Sequence, residues 1–243
     1  MNDSSEKRIP GRRQQGGPPL IAVGLAYGVL TLTGVILSIK TPQPSAGAAA
    51  VLAYDRSHQT VMQVAGFFQF AAAAPLAIWA ATVYRRLRTL GVTAPGAVIA
   101  LSGGLLAAAS LALTGLISWV TAQTAQLAAP VADPALARAL ADLAFATGAA
   151  GFVVPLGLLV AGVSVPALLL RLTPRPWAWF GLVVAAVSEL SSLVLLTSGL
   201  DATLPIGRFG GLIWLVAVSL LLPHNRHEIR GAAAAPERRP VAS

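Results

Sequence analysis

Long apolar stretches separated by short polar connections occupy most of the chain from residue 20 to residue 222. A helix that crosses a membrane needs roughly 20 apolar residues, and six stretches meet that requirement. We therefore predict an all-α membrane protein in which six transmembrane helices form a single bundle. The predicted spans are about residues 20–39, 60–84, 94–119, 143–170, 177–200 and 204–222, with a short helix at 48–58 ahead of the second span.

The composition supports this class of protein. Hydrophobic residues make up 56% of the chain and charged residues 11%, whereas soluble domains have roughly 25% charged residues. The polar, basic segments 1–18 and 224–243 cannot bury enough apolar surface to fold. We therefore predict that they are disordered tails that precede and follow a transmembrane domain at 19–223. The chain contains no cysteine, which excludes disulfides and thiolate chemistry.

The distribution of lysine and arginine predicts the orientation. Six spans place both termini on one side, and cytoplasmic segments carry an excess of Lys and Arg. Of the 17 basic residues, the following 13 lie on the side of the termini: Lys7, Arg8, Arg12, Arg13, Arg85, Arg86, Arg88, Arg171, Arg175, Arg226, Arg230, Arg238 and Arg239. The opposite side has Lys40, Arg56, Arg138 and Arg208. Both termini are therefore predicted to be cytoplasmic, and the net charge of +8 is assigned to topology and not to nucleic-acid binding.

The first span has a second interpretation. Residues 45–50 (SAGAAA) resemble the small-residue cleavage site of a secretory signal peptide. The preceding apolar stretch is longer than the usual signal core of roughly 7–15 residues, which favours an uncleaved anchor. Cleavage would leave five spans.

Glu189 is the candidate functional residue of the fifth span. It lies near the middle of an apolar stretch, and an ionisable group at that depth is expected to face protein or water. Ala185, Ala186 and Ser192 surround it at helical spacing, and such small residues favour close helix packing. We predict a polar pocket around Glu189 that includes Gln69, Thr114, Ser110, His58 and Ser192. The alternative is that Glu189 is protonated and serves only helix association.

Charged and polar residues at the outer ends of the spans form a second group. Arg208 and Asp201 flank the start of the sixth span and are expected to pair with each other or with Gln63 at the outer rim. His224 and His227 lack the further ligands of a zinc site, so no metal site is predicted. The chain contains no motif for catalysis or phosphate binding, and neither catalytic residues nor cofactors are predicted.

The C-terminal third resembles a known group of proteins. Residues 151–170 (GFVVPLGLLVAGVSVPALLL), 174–196 (PRPWAWFGLVVAAVSELSSLVLL) and 204–223 (LPIGRFGGLIWLVAVSLLLP) carry the resemblance. They are similar to an uncharacterised family of six-helix bacterial membrane proteins, often actinobacterial, that is known only as a domain of unknown function. The resemblance implies a multi-pass protein of the bacterial cytoplasmic membrane and assigns no activity.

Three functions stay open on the sequence. The first is transport or sensing of a small ligand or proton through the pocket around Glu189. The second is a non-catalytic interaction or regulatory subunit. Its partner, in addition to the lipid bilayer, would be a membrane protein or a second copy of the chain. The third is an intramembrane enzyme, which would normally need more than one ionisable group at its site. We do not predict an enzyme.

Overall fold

The computed structural model describes residues 18–42, 46–128 and 132–223. Within them the chain forms helices and connecting turns, and no strand. The helices are α1 (Leu20–Ser38), α2 (Ala48–Ser57), α3 (Gln59–Thr89), α4 (Gly96–Thr124), α5 (Pro134–Gly148), α6 (Ala150–Leu169), α7 (Arg175–Leu190) and α8 (Thr203–Leu221). Short 3-10 helices over Ser191–Leu195 and Ser198–Leu200 follow α7.

Six helical segments of the described residues are long and apolar enough to cross a membrane, which confirms the predicted fold class. These are α1, α3, α4, α5 together with α6, α7 together with the first 3-10 helix, and α8. The chain is therefore a multi-pass membrane protein. Residues 1–17 of the predicted N-terminal tail (1–18) and the whole predicted C-terminal tail (224–243), with His224 and His227, lie outside the described residues. The cytoplasmic location of the termini stays a prediction.

Glycines allow the central helices to approach closely. A Cβ atom on Gly66 of α3 would lie 2.7 Å from the carbonyl oxygen of Gly115 on α4. A Cβ atom on Gly103 of α4 would lie 2.6 Å from backbone atoms of Pro155 and Leu159 on α6. Since real Cβ atoms do not approach so closely, α4 can lie between α3 and α6 only because these positions lack side chains.

Large side chains fill the half of the bundle nearest the C-terminal end of α3. The indole of Trp79 donates to the Ser219 hydroxyl at 2.8 Å and meets Trp214 edge to face, with ring centroids 6.4 Å apart. Tyr27 of α1 is fully buried in the same cluster. Because these side chains are packed tightly, this half of the bundle is closed.

Two of the predicted spans are interrupted. The fourth span, predicted as 143–170, breaks at Ala149, whose φ and ψ are −91° and −100°. Glycines on both sides, Gly148 and Gly151, weaken the helix locally. The fifth span, predicted to reach residue 200, leaves α-helical geometry at Ser191, whose hydroxyl donates to Thr203 at 2.9 Å. Both interruptions correct the predicted continuous spans, because the hydropathy pattern gave no sign of them.

Candidate functional site

A cavity of about 520 Å³ lies at the end of the bundle where α1 and α4 end and α3 and α8 begin. Gln69 and Thr114 line it, each ten residues from the helix end on that side. The cavity therefore reaches roughly 15 Å into the bundle. Its volume lies within the range of small-molecule pockets, roughly 300–1,000 Å³.

Apolar side chains make up most of the cavity wall, and five charged residues interrupt it. The charged residues are Asp55, Arg138, Asp142, Asp201 and Arg208. The described part of the chain has only five acidic residues, and three of them line this one cavity. Charge is scarce in this protein, so its concentration here distinguishes the cavity from the rest of the bundle.

Arg208 enters the cavity wall from the second turn of α8. Its Nη2 donates to the carbonyl oxygen of Gly148 at 2.6 Å, and its guanidinium lies 4.8 Å from the centre of the Phe152 ring. The break at Ala149 explains the first contact. The N–H of Phe152 donates to Ala149 and not to Gly148, so the break frees the Gly148 carbonyl at the C-terminal end of α5, where a cation is favoured.

Asp55 lies on α2, outside the membrane-spanning segments. Its side chain is buried, with the residue 2% exposed, and its Oδ2 atom has no hydrogen-bond partner. Burial raises the pKa of the Asp55 carboxyl to about 6. A buried carboxylate normally has a hydrogen-bonding or charged partner. The Asp55 carboxyl in the cavity wall lacks one at Oδ2.

The position of Asp55 results from the docking of α2 on its neighbours. Val51 and Leu52 pack against Ala125 and Ala137, which belong to the end of α4 and the start of α5. Arg56 donates to the carbonyl oxygen of Ala125 at 3.1 Å. Because Asp55 lies one turn beyond Val51, this packing turns its carboxyl toward the cavity.

Arg138 and Asp142 form an ion pair on the second and third turns of α5. Nε of Arg138 lies 2.9 Å from both carboxylate oxygens of Asp142, at i,i+4 spacing. Arg138 also donates to the carbonyl oxygen of Ala46, just ahead of α2. The charge of Arg138 is therefore matched by Asp142, and the pair holds α2 against α5.

Neutral polar side chains lie in the deeper part of the cavity. The Thr114 hydroxyl donates to the carbonyl oxygen of Ser110 at 2.9 Å and contacts the Thr147 hydroxyl at 3.0 Å. The amide of Gln69 donates to the Ser38 hydroxyl at 3.4 Å. These residues provide uncharged hydrogen-bonding groups in the cavity wall.

The structure brings only part of the predicted site together. Gln69, Thr114, Asp201 and Arg208 line the cavity, whereas Glu189, Ser110, His58, Ser192 and Gln63 do not. His58 stacks on Tyr54 with ring centroids 4.2 Å apart, and neither His58 nor Glu189 shares the cavity with Gln69. Asp201 and Arg208 share the rim of one cavity without forming an ion pair with each other.

Glu189 is exposed on the outer surface of the bundle, which corrects its predicted place in the pocket. The buried face of α7 is formed by residues spaced three and four apart, including Gly181, Ala185 and Ser188. Glu189 follows Ser188 by one residue, so it lies at the edge of that face, with Oε1 beside Gly157 of α6. Small residues occur on two faces of α7, and Ala186, which the prediction used, is on the exposed one.

Substitution of Glu189 by leucine should therefore not destabilise the fold. We expect purified Glu189→Leu to melt at or above the wild-type temperature, because an exposed leucine within a membrane span costs less than an exposed carboxyl group. Ser188→Leu is the matched control, because Ser188 is fully buried and its Cβ lies against Gly157. It should lower the apparent melting temperature strongly. The assignment of the exposed face would be wrong if the two variants melted in the opposite order.

The sequence reasoning missed Asp55, Arg138 and Asp142. A signal was present for two of them, since an arginine and an aspartate at i,i+4 indicate an ion pair on a helix. Asp55 carries no such signal, because an aspartate in a short helix between spans normally faces water. Its burial depends on contacts between α2 and residues about 70 to 85 positions further along the chain.

Among the residues that the structure describes, no three His, Asp or Glu side chains converge on a point where a metal ion could bind. A scan against protein-family models and searches of curated proteins and of solved structures found no match to this chain. The resemblance of the C-terminal third to six-helix bacterial membrane proteins stays a prediction.

Proposed function

We propose that the protein binds a small molecule in the cavity, as the recognition step of transport or sensing across the membrane. The observation that carries the proposal is the helix break at Ala149, which lies in the cavity wall together with Gly148 and Arg208. Interrupted helices within a membrane are tolerated where the free backbone is buried in protein or lines a water-filled cavity. Transporters use such breaks to form substrate sites.

The direction of access follows from the predicted topology. The cavity opens on the side that carries Lys40, Arg56, Arg138 and Arg208, which the positive-inside rule places outside the cytoplasm. The opposite half of the bundle is closed by the cluster around Trp79 and Trp214. A binding site open to one side and closed to the other suits either a receptor or one state of a transporter.

Cysteine labelling tests whether water reaches the cavity. Single cysteines can be introduced without background, because the chain has none. In intact cells an impermeant maleimide should modify Ala144→Cys, in the cavity wall, and not Leu143→Cys, which is exposed on the lipid side of the same helix. Ala49→Cys and Thr89→Cys, at opposite ends of the bundle, report the orientation.

Each labelling pattern has a defined meaning. Modification of Ala49→Cys and Ala144→Cys alone supports a water-filled cavity open to the outside. Modification of Ala49→Cys without Ala144→Cys would contradict a solvent-accessible binding site. Modification of Thr89→Cys instead of Ala49→Cys would reverse the orientation and place the opening in the cytoplasm.

Ligand binding itself should appear as thermal stabilisation. A ligand at 100 times its Kd stabilises the folded state by about 2.7 kcal/mol. Compounds found in a thermal-shift screen of the purified protein should lose their effect on Ala144→Trp, which fills the cavity, and keep it on Leu143→Trp. Ligands whose effect survives Ala144→Trp would bind elsewhere and contradict the proposed site.

A further inference from the structure

We infer that the ligand is a zwitterion: a small molecule with a cationic group, an apolar body and an anionic group. The inference rests on the proposed function, since it names the chemical class of the molecule that the cavity binds. It follows from two charged residues of opposite sign, Asp55 and Arg208, that line the same cavity without forming an ion pair with each other. Asp55 is buried and Arg208 is half-buried.

The anionic group is assigned to Arg208. One N–H of its guanidinium is used by the Gly148 carbonyl, and no carboxylate among the described residues forms an ion pair with it. An arginine keeps its charge under all ordinary conditions and offers five donors. Arg208 lies on a membrane-spanning helix, where a cation without an anionic partner is costly. A carboxylate or a similar anion on the ligand would supply that partner in the bidentate geometry that arginine favours.

The cationic group is assigned to Asp55. Its Oδ2 atom is buried and has no hydrogen-bond partner, although the residue lines the cavity. Arg138 is paired with Asp142, whose two carboxylate oxygens both accept from Arg138 Nε. An ammonium group would satisfy the Asp55 carboxylate, and Tyr54, which also lines the cavity, offers an aromatic ring that would favour a cation further.

The two charges are held apart by the packing of their helices. Asp55 is on α2, which packs mainly against α5, whereas Arg208 is on α8, which packs against α7, α6 and α1. Apolar side chains occupy the cavity wall between these helices, among them Met62, Ala65, Phe145 and Val153. The ligand is therefore expected to be elongated, with its charges at opposite ends of an apolar body.

The remaining charges do not change this assignment. Arg138 and Asp142 neutralise each other, and Asp201 is exposed at the rim, where water screens its charge. A purely anionic ligand would leave Asp55 unsatisfied, and a purely cationic ligand would leave Arg208 unsatisfied. A proton alone would not require a cavity of about 520 Å³.

The test measures how well defined probes protect Ala144→Cys from the neutral reagent N-ethylmaleimide. The zwitterions are 4-aminobutanoate, 6-aminohexanoate and 8-aminooctanoate, which cover a range of charge separations. Each is compared with the carboxylate and the amine of the same chain length. At least one zwitterion should protect at a concentration about tenfold below that of either matched probe, because it makes one additional charge-assisted hydrogen bond.

Substitution of either charged residue should abolish the advantage of the zwitterion over one of its two matched probes. In Asp55→Asn, the zwitterion should protect no better than the matched carboxylate. In Arg208→Gln, it should protect no better than the matched amine, whereas Arg208→Lys should retain part of the preference. Because the comparison of probes needs neither variant, the test stands even if one of them fails to fold.

The outcome separates this inference from the proposed function. Failure of N-ethylmaleimide to modify Ala144→Cys in the absence of probe would contradict the proposed cavity itself. If the reagent modifies the cysteine but the zwitterion, the carboxylate and the amine protect it equally at every chain length, the ligand is not a zwitterion. The binding cavity would still stand. Absence of protection by the whole series would overturn the zwitterionic ligand in the same way.

Discussion

Gly162→Ala should destabilise the protein, even though the same substitution stabilises an ordinary helix. Alanine in place of glycine is worth about 1 kcal/mol in a helix interior through its higher helix propensity. At Gly162 of α6, however, a Cβ atom would lie 2.5 Å from the backbone nitrogen of Ala100 and 2.7 Å from the carbonyl oxygen of Gly96. Both contacts are to the backbone of α4, so a rotamer change cannot relieve them.

The cost of this overpacking decides the sign of the effect. Inserting a methyl group into a packed interior costs about 1–3 kcal/mol, and more when the backbone must move. We expect the loss to exceed the propensity gain, with a net destabilisation of about 1–2 kcal/mol for Gly162→Ala and a larger one for Gly162→Val. The measurement is the apparent melting temperature of each purified variant in one detergent.

Gly47→Ala is the matched control, because a Cβ atom on Gly47 would meet nothing within 4 Å. It should melt within a degree or two of wild type, since open surface positions tolerate substitution. If Gly162→Ala melted at or above the wild-type temperature, the close approach of α4 and α6 in the structure would be incorrect.

Hydropathy predicted the spans because the length of a membrane helix is fixed by the bilayer. It could not predict the break at Ala149, since residues 144–154 (AFATGAAGFVV) are as apolar as an unbroken helix. The break is stabilised by Arg208, whose contact with the Gly148 carbonyl joins residues 60 positions apart. Interactions of this range leave no periodic pattern in a local stretch of sequence.

The candidate site was predicted less well than the fold, for two separate physical reasons. Gln69 and Thr114 were found because their distance from the helix ends gives their depth. Glu189 was misplaced because depth does not determine the direction of a side chain, and a shift of one residue rotates it by about 100° around the helix. Asp55 was missed because its burial requires α2 to fold back onto α4 and α5.

Asp55 should make the stability of the protein fall as the pH rises from about 4 to 6. The pKa of its carboxyl is raised from the ordinary value of 3.8 to about 6 by burial. In that window the folded state binds the proton more tightly than the unfolded state, so raising the pH favours unfolding. The destabilisation is complete above about pH 6 and disappears below about pH 4, where both states are protonated.

A difference of about two pKa units corresponds to about 3 kcal/mol. Water in the open cavity screens the charge, so we expect a smaller effect, of about 1–2 kcal/mol. Asp55→Asn imitates the neutral form at every pH. It should therefore melt above wild type at pH 7.5 and approach wild type at pH 4, when both proteins are scanned between these values.

Asp201→Asn controls for the removal of a carboxylate from the cavity rim, because Asp201 also lines the cavity but is exposed. The predicted pH dependence belongs to Asp55 only if it persists in Asp201→Asn and is lost in Asp55→Asn.

A ligand with a cationic group should oppose the same destabilisation by pairing with the ionised carboxylate. The protection of Ala144→Cys by an amino carboxylate should accordingly strengthen as the pH rises through 6. Protection that weakened over that range would contradict the role of Asp55 in binding.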